Sequence, residues 1–75
     1  MSRAAALVSA LTTEPVTTSE LYDRVGYPTL VRIGLIPYQA FRSELARLSA
    51  DGQIQSGAAE DGSTRWWLED GTGAD

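Results

Sequence analysis

Apolar residues recur at helical spacing in three stretches of this chain and at strand spacing near its end, with polar punctuation between them. Ala4, Leu7, Val8 and Leu11 follow an i, i+3, i+4, i+7 pattern, which predicts an amphipathic helix over residues 2–12. Two threonines and then Glu14-Pro15 stop it, because the residue before a proline is pushed out of the α region. Val16-Thr17 reads as a short extended piece. A second helix begins at Thr17-Thr18-Ser19-Glu20. Here the Thr17 hydroxyl is spaced to accept from the Glu20 backbone N–H while the Glu20 carboxylate reaches back, the reciprocal capping box. Leu21 and Val25 face inward, Gly26 supplies a left-handed terminator and Pro28 follows.

Residues 27–36 fit two patterns. Val31, Ile33 and Leu35 alternate with Arg32 and Gly34, as in a strand, yet Leu30, Ile33 and the flanking prolines also suit a single helical turn packed under the next helix. Either way the segment is an apolar insertion that closes the bottom of the core. Pro37 then opens a third helix, residues 37–50, at the position where proline costs least. At about 100° per residue, Tyr38, Phe41, Leu45 and Leu48 gather on one face. Gln39, Ser43, Ala46 and Ala50 lie opposite, flanked by Arg42 and Arg47. Asp51-Gly52 closes the helix. Two strand-like runs follow, residues 53–57 and 64–69, joined by a turn-rich hexapeptide, residues 58–63. Ile54 points inward. In the return strand Thr64, Trp66 and Leu68 share one face, and Arg65, Trp67 and Glu69 share the other.

Composition limits what these elements do. At 75 residues the chain is a single domain whose core must use nearly every large apolar side chain. The domain is expected over residues 1–69, with residues 70–75 a disordered acidic tail. Histidine and cysteine are both absent. The commonest metal ligands, general base and thiol nucleophile are therefore missing, and neither a metal nor a cofactor is expected. No apolar run approaches the roughly 20 residues needed to span a bilayer. The first seven residues carry one arginine and a short apolar stretch, too weak for a signal peptide, so a cytoplasmic protein is expected. The formal charge of −4 counts at first against a nucleic-acid partner. Over residues 1–68, however, six arginines face seven acids (Glu14, Glu20, Asp23, Glu44, Asp51, Glu60 and Asp61), a nearly neutral body that can still carry a basic face.

The segments "VTTSELYDRVG", "RSELARLSADGQI" and "DGSTRWWL" resemble the winged helix-turn-helix proteins of bacterial transcription. The likeness lies in a helix ending in glycine, an apolar residue at Ile54 and a Gly/Ser-containing hairpin that ends in Trp and Leu. It implies an α+β fold of three helices followed by a two-stranded hairpin wing, and a small regulator or accessory factor that reads duplex DNA with its third helix. Roughly ten residues between the second and third helices depart from the usual short turn. Carried over by position, the resemblance makes Gln39, Arg42, Ser43 and Arg47 the groove-facing set, with Arg65 on the wing. The residue types suit that task. Gln pairs with adenine and Arg with guanine through two hydrogen bonds, and small neighbours let a helix sink into the groove. A homodimer is the expected companion, because one such module buries little surface. The first helix and Trp67 are its contact elements.

A second reading uses the same fold as a protein-interaction module. Glu60 and Asp61 at the wing tip repel phosphates, and an outward Trp67 is the kind of aromatic that anchors protein contacts. Trp66 is core. Trp67 either stays exposed or packs on the first helix or the 27–36 insertion. Catalysis is not expected. The carboxylate pairs Glu60-Asp61 and Glu69-Asp70 fall in exposed loops, and the serine and threonine hydroxyls have no base to activate them.

Overall fold

A computed structural model describes residues 2–69; the acidic tail expected over residues 70–75 lies outside the described residues. The chain runs α1 (Arg3–Ala10), β1 (Val16–Thr17), α2 (Thr18–Val25), α3 (Tyr27–Ile33), α4 (Tyr38–Ala50), β2 (Gln55–Ala58) and β3 (Thr64–Trp67). The described residues form a small α+β domain of four helices and a three-stranded antiparallel sheet with strand order β1-β3-β2. Three helices and a two-stranded hairpin were expected, so one helix and one strand are additions.

The extra helix is α3. Pro28 stands in its first turn and needs no hydrogen-bond donor there, while Gly34, at φ +75°, ends it in the left-handed conformation. Leu30 and Ile33 are buried on one side and Leu35 is buried just beyond the cap, whereas Val31 is 54% exposed. The strand-like alternation of Val31, Ile33 and Leu35 is therefore not a strand. The extra strand is β1. Its register sets Val16 against Trp66 and Thr17 against Arg65, so the short extended piece becomes the outer strand beside β3.

Local signals account for the helix ends. Ser2 caps α1 with its side chain, and the helix is shorter at both ends than expected because Leu11 is already extended while remaining buried. The capping box of α2 is formed as predicted: the Glu20 N–H donates to Thr17 Oγ1 at 3.1 Å and the Thr17 N–H to Glu20 Oε1 at 2.9 Å. Gly26 has a positive φ of 87° with ψ 149°, an extended rather than left-handed helical geometry that lets α3 start at once. Pro37 is the cap before α4 and not its first turn. At the far end Gly52 takes φ +84°, and the Gly52 and Gln53 N–H groups return to Ser49 and Leu48. Gln53 and Ile54 thus belong to this cap, and β2 starts two residues later than expected.

Phe41, Leu45 and Leu48 of α4 are fully buried with Leu7, Leu21 and Ile54, as their spacing predicts. Val25 is only half-buried and Tyr38 is 42% exposed. Tyr38 closes on Tyr22, whose ring meets Phe41 edge to face at 5.0 Å. Trp66 is buried and its indole N–H donates to Thr18 Oγ1 at 2.8 Å, across 48 positions of sequence. The Leu68 N–H donates to the Thr12 carbonyl at 2.7 Å, so the sheet's last strand also grips the segment leaving α1.

Replacing Thr18 by valine keeps the shape and strands the buried indole N–H. Thr18→Val is expected to lose about 1–3 kcal/mol in denaturant unfolding, while Thr18→Ser retains most of the stability.

Candidate nucleic-acid interface

The outward side of α4 is a strip of Gln39, Arg42, Ser43 and Ala46, all exposed, which together form a shallow concavity of about 240 Å³. It exists because Phe41, Leu45 and Leu48 commit the other side of the helix to the core. Gln39, Arg42 and Ser43 therefore lie together where the sequence placed them. Ala50 is exposed further along the helix.

Arg47 is exposed but engaged. One guanidinium nitrogen bonds Glu44 Oε2 and the other lies 3.0 Å from Asp51 Oδ2. Glu44 is buried at 8% exposure and also meets Arg3 Nη1 at 3.9 Å, while Arg3 Nε donates to the Ile33 carbonyl at 3.1 Å. The resulting chain of charges ties α1, the end of α3 and α4 together. The Arg47 hydrogen bond holds the Glu44 carboxyl below its ordinary range against the opposing pull of burial, and the nearby Arg47 and Arg3 charges add to it. Glu44 in turn raises Arg47, holding its proton more firmly. Arg47 is thus a structural cation first, and its share in a groove-facing set is reduced.

Arg65 is half-buried on β3. Its Nη2 lies 4.0 Å from Asp61 Oδ2, and Glu20 is close enough for the Arg65 charge to contribute to that carboxyl's lowering, behind its hydrogen bonds to Thr17. Asp61 is itself lowered, chiefly because its Oδ1 accepts from the Ser63 hydroxyl at 2.6 Å and from the Ser63 N–H at 2.9 Å. This carboxylate bonds back into the turn 59–63 yet stays 67% exposed, so both Glu60 and Asp61 are exposed at the tip.

Trp67 is half-buried, not exposed. Its ring lies across its own hairpin, over Gly57: a Cβ built at Gly57 would stand 3.1 Å from Trp67 Cη2. Gln55 pairs directly with Trp67, which makes Gly57 its diagonal neighbour on the same sheet face. The backbone hydrogen of Gly57 leaves the room the ring occupies.

Arg42 differs from Arg47 and Arg65: among the described residues it has no carboxylate within ion-pair distance. It also lines a second, larger cleft of about 280 Å³ between the start of α2, the start of α4 and the hairpin turn. Six hydroxyl-bearing residues line that cleft, Thr17, Thr18, Ser19, Tyr38, Ser63 and Thr64, although the Thr18 hydroxyl also accepts from Trp66 and the Ser63 hydroxyl donates to Asp61. Ser19 and Tyr38 bond each other at 3.1 Å, joining the two helix starts. Hydroxyls and a guanidinium in one cleft are the donors that phosphate oxygens take from proteins. Sequence spacing exposes Thr17 as a cap but cannot show that the hairpin turn arrives beside it, so this half of the surface was missed.

No protein-family model matches the chain, and neither does any curated protein or solved structure. Among the described residues, no helix is long and apolar enough to cross a membrane.

The Glu44 network generates a pH prediction. Its carboxyl is lowered in the folded chain, so its contribution is present above the ordinary value of 4.5 and is lost as pH falls through that value toward the folded one. The stability difference between the wild type and Glu44→Gln is therefore expected to shrink on acidification below about pH 4.5, as measured by thermal unfolding across a pH series.

Proposed function

We propose that this chain is a winged helix-turn-helix protein of bacterial transcription, a small regulator or accessory factor that binds duplex DNA by laying the Gln39-Arg42-Ser43-Ala46 strip of α4 in the major groove. The element order, with a short strand before α2 and a hairpin after α4 in one sheet of order β1-β3-β2, supports that architecture. The observation that carries the reading is Arg42, exposed on the open side of α4 and unpaired with any described carboxylate. From there it reaches both the strip and the hydroxyl-lined cleft. Gln39 and Ser43 supply base-edge contacts, and Ala46 the low relief that lets the helix approach. The cleft hydroxyls hold the flanking phosphates. Asp61 stays ionised and exposed at the turn, so the α4 strip and not the hairpin tip makes the main contact.

Binding of this kind is electrostatically weak, since Arg47 and Arg65 both face carboxylates. A second copy in a homodimer supplies the missing contacts, as for other small modules. A cytoplasmic location, no small-molecule cofactor and no catalytic role go with this reading. The alternative of a protein-interaction module built on the acidic wing and Trp67 has less support, because Trp67 is half-buried with its ring over Gly57.

A titration of random and genomic duplexes over a salt series tests the proposal. The expected log–log slope is shallow, about −1 to −3 per protomer. Arg42→Ala is expected to cost about 1–3 kcal/mol and flatten that slope by about 1, with Arg47→Ala costing less. Gln39→Ala is expected to change sequence preference more than affinity. Absence of duplex binding at about 50 mM salt removes the reading.

A further inference from the structure

Two more arginines, Arg24 and Arg32, have no carboxylate within ion-pair distance among the described residues, in a chain where acids outnumber arginines ten to six. They line one groove of about 250 Å³ between the last turns of α1, the end of α2 and α3. The floor is Ala6, Ala10 and the half-buried Val25, and Thr29 adds a hydroxyl to the wall. Arg24 is held in place: its Nη1 donates to the Ala10 carbonyl at 3.2 Å, one of the carbonyls that the end of α1 leaves unsatisfied. Its other guanidinium hydrogens have no such partner among the described residues. Arg32, on the groove-facing side of α3, is exposed. Two acids share the helix of Arg24: Asp23, adjacent and exposed, and Glu20, one turn earlier with its carboxylate committed to the Thr17 N–H; neither lies within ion-pair distance of Arg24.

We propose that this groove docks an acidic segment of a partner protein, whose carboxylates meet Arg24 and Arg32 while its apolar side chains fill the floor over Ala6, Ala10 and Val25. Charge complementarity selects the sign, because neither arginine of the pair is held in an ion pair among the described residues. The floor selects the class of partner. Alanine and valine surface gains from covering by aliphatic or aromatic side chains, which a phosphodiester backbone does not offer. The floor's small residues also let a helix backbone approach closely. This site shares no residue with the α4 strip or with the hydroxyl cleft, so it stands independently of duplex binding.

The test uses the full chain, labelled with nitrogen-15. The probe is a synthetic acidic amphipathic peptide of roughly 15 residues made of Glu, Leu and Ala, long enough to hold a helix, together with its counterpart bearing Gln for Glu. Expected are shifts centred on Ser9, Ala10, Val25 and Thr29, at least about fivefold weaker binding of the Gln peptide, and weakening as salt rises from about 50 to 200 mM. The double variant Arg24→Ala, Arg32→Ala is expected to lose roughly tenfold in affinity. Arg32→Glu alone is expected to lose at least as much as Arg32→Ala, and because Arg32 makes no described structural bond its loss is not one of folding. The proposal is overturned by the absence of shifts up to about 1 mM peptide, by equal binding of the two peptides, or by shifts centred on Gln39 and Ser43. It is equally overturned if a duplex, and not the peptide, perturbs the groove residues.

Discussion

The indole N–H of Trp66 meets the Thr18 hydroxyl 48 positions away, inside the core of a chain with little core to spare. This bond fastens the sheet's middle strand to the first residue of α2. The two residues before Thr18 are already in use: Thr17 caps that helix, and Val16 is paired with Trp66 itself. Residues 16–18 therefore serve strand, cap and anchor at once, and a shift of one position spoils all three. With the anchor in place the hairpin turn arrives beside the start of α2. Its Ser63 and Thr64 then join Arg42 and Tyr38 in one cleft. The β1 pairing and the Leu68–Thr12 bond share this task, since an isolated two-stranded hairpin is marginal in water.

Legibility in the sequence follows the range of the interaction. The capping box, the buried side of α4 and the inward set of Ile54 and Trp66 were all readable, because each depends on neighbours a few residues away or on a simple period. The second strand partner was not, since a two-residue strand carries no period and β1 is defined only by Trp66 and Arg65. Residues 27–36 misled for another reason. Three apolar residues at alternate positions imitate a strand, but Gly26, Pro28 and Gly34 bracket a single short helix that buries Leu30 and Ile33 together. The position of Trp67 was hidden in the absence of a side chain at Gly57, a partner that apolar patterning does not count.

Charge was legible in part: a count of arginines does not say which are occupied, but the three-residue spacing from Glu44 marks Arg47 for an intrahelical pair, and that pair is formed. Arg42 and Arg47 flank the same helix side, yet Glu44 is three residues from Arg47 and two from Arg42. On a helix only the first spacing brings side chains face to face. The burial of Glu44 reinforces the difference: a carboxylate taken partly from water must be paired, and Arg47 and Arg3 are the cations in reach. Arg47 is thus held by the needs of the fold, and Arg42 is left without an ion pair among the described residues.

The same reasoning distinguishes the surfaces of this molecule by what each leaves unmet. A guanidinium already facing two carboxylates gains little from a third anion, since binding one must first weaken an existing pair. A guanidinium with no carboxylate gains the full interaction. Net charge then ceases to be the relevant quantity. A chain at −4 attracts few anions at long range, and at about 0.15 M salt screening confines each charge to roughly 8 Å. At contact distance the local inventory decides. Arg42 sits among hydroxyls with a low-relief polar strip beside it, an environment suited to phosphate and base edges. Arg24 and Arg32 sit around an apolar floor, where a phosphate gains no more than its charge and an acidic side chain brings a covering neighbour with it. On the two proposals made for them, these cationic sites of one small domain discriminate between anions through the polarity of the surfaces next to them.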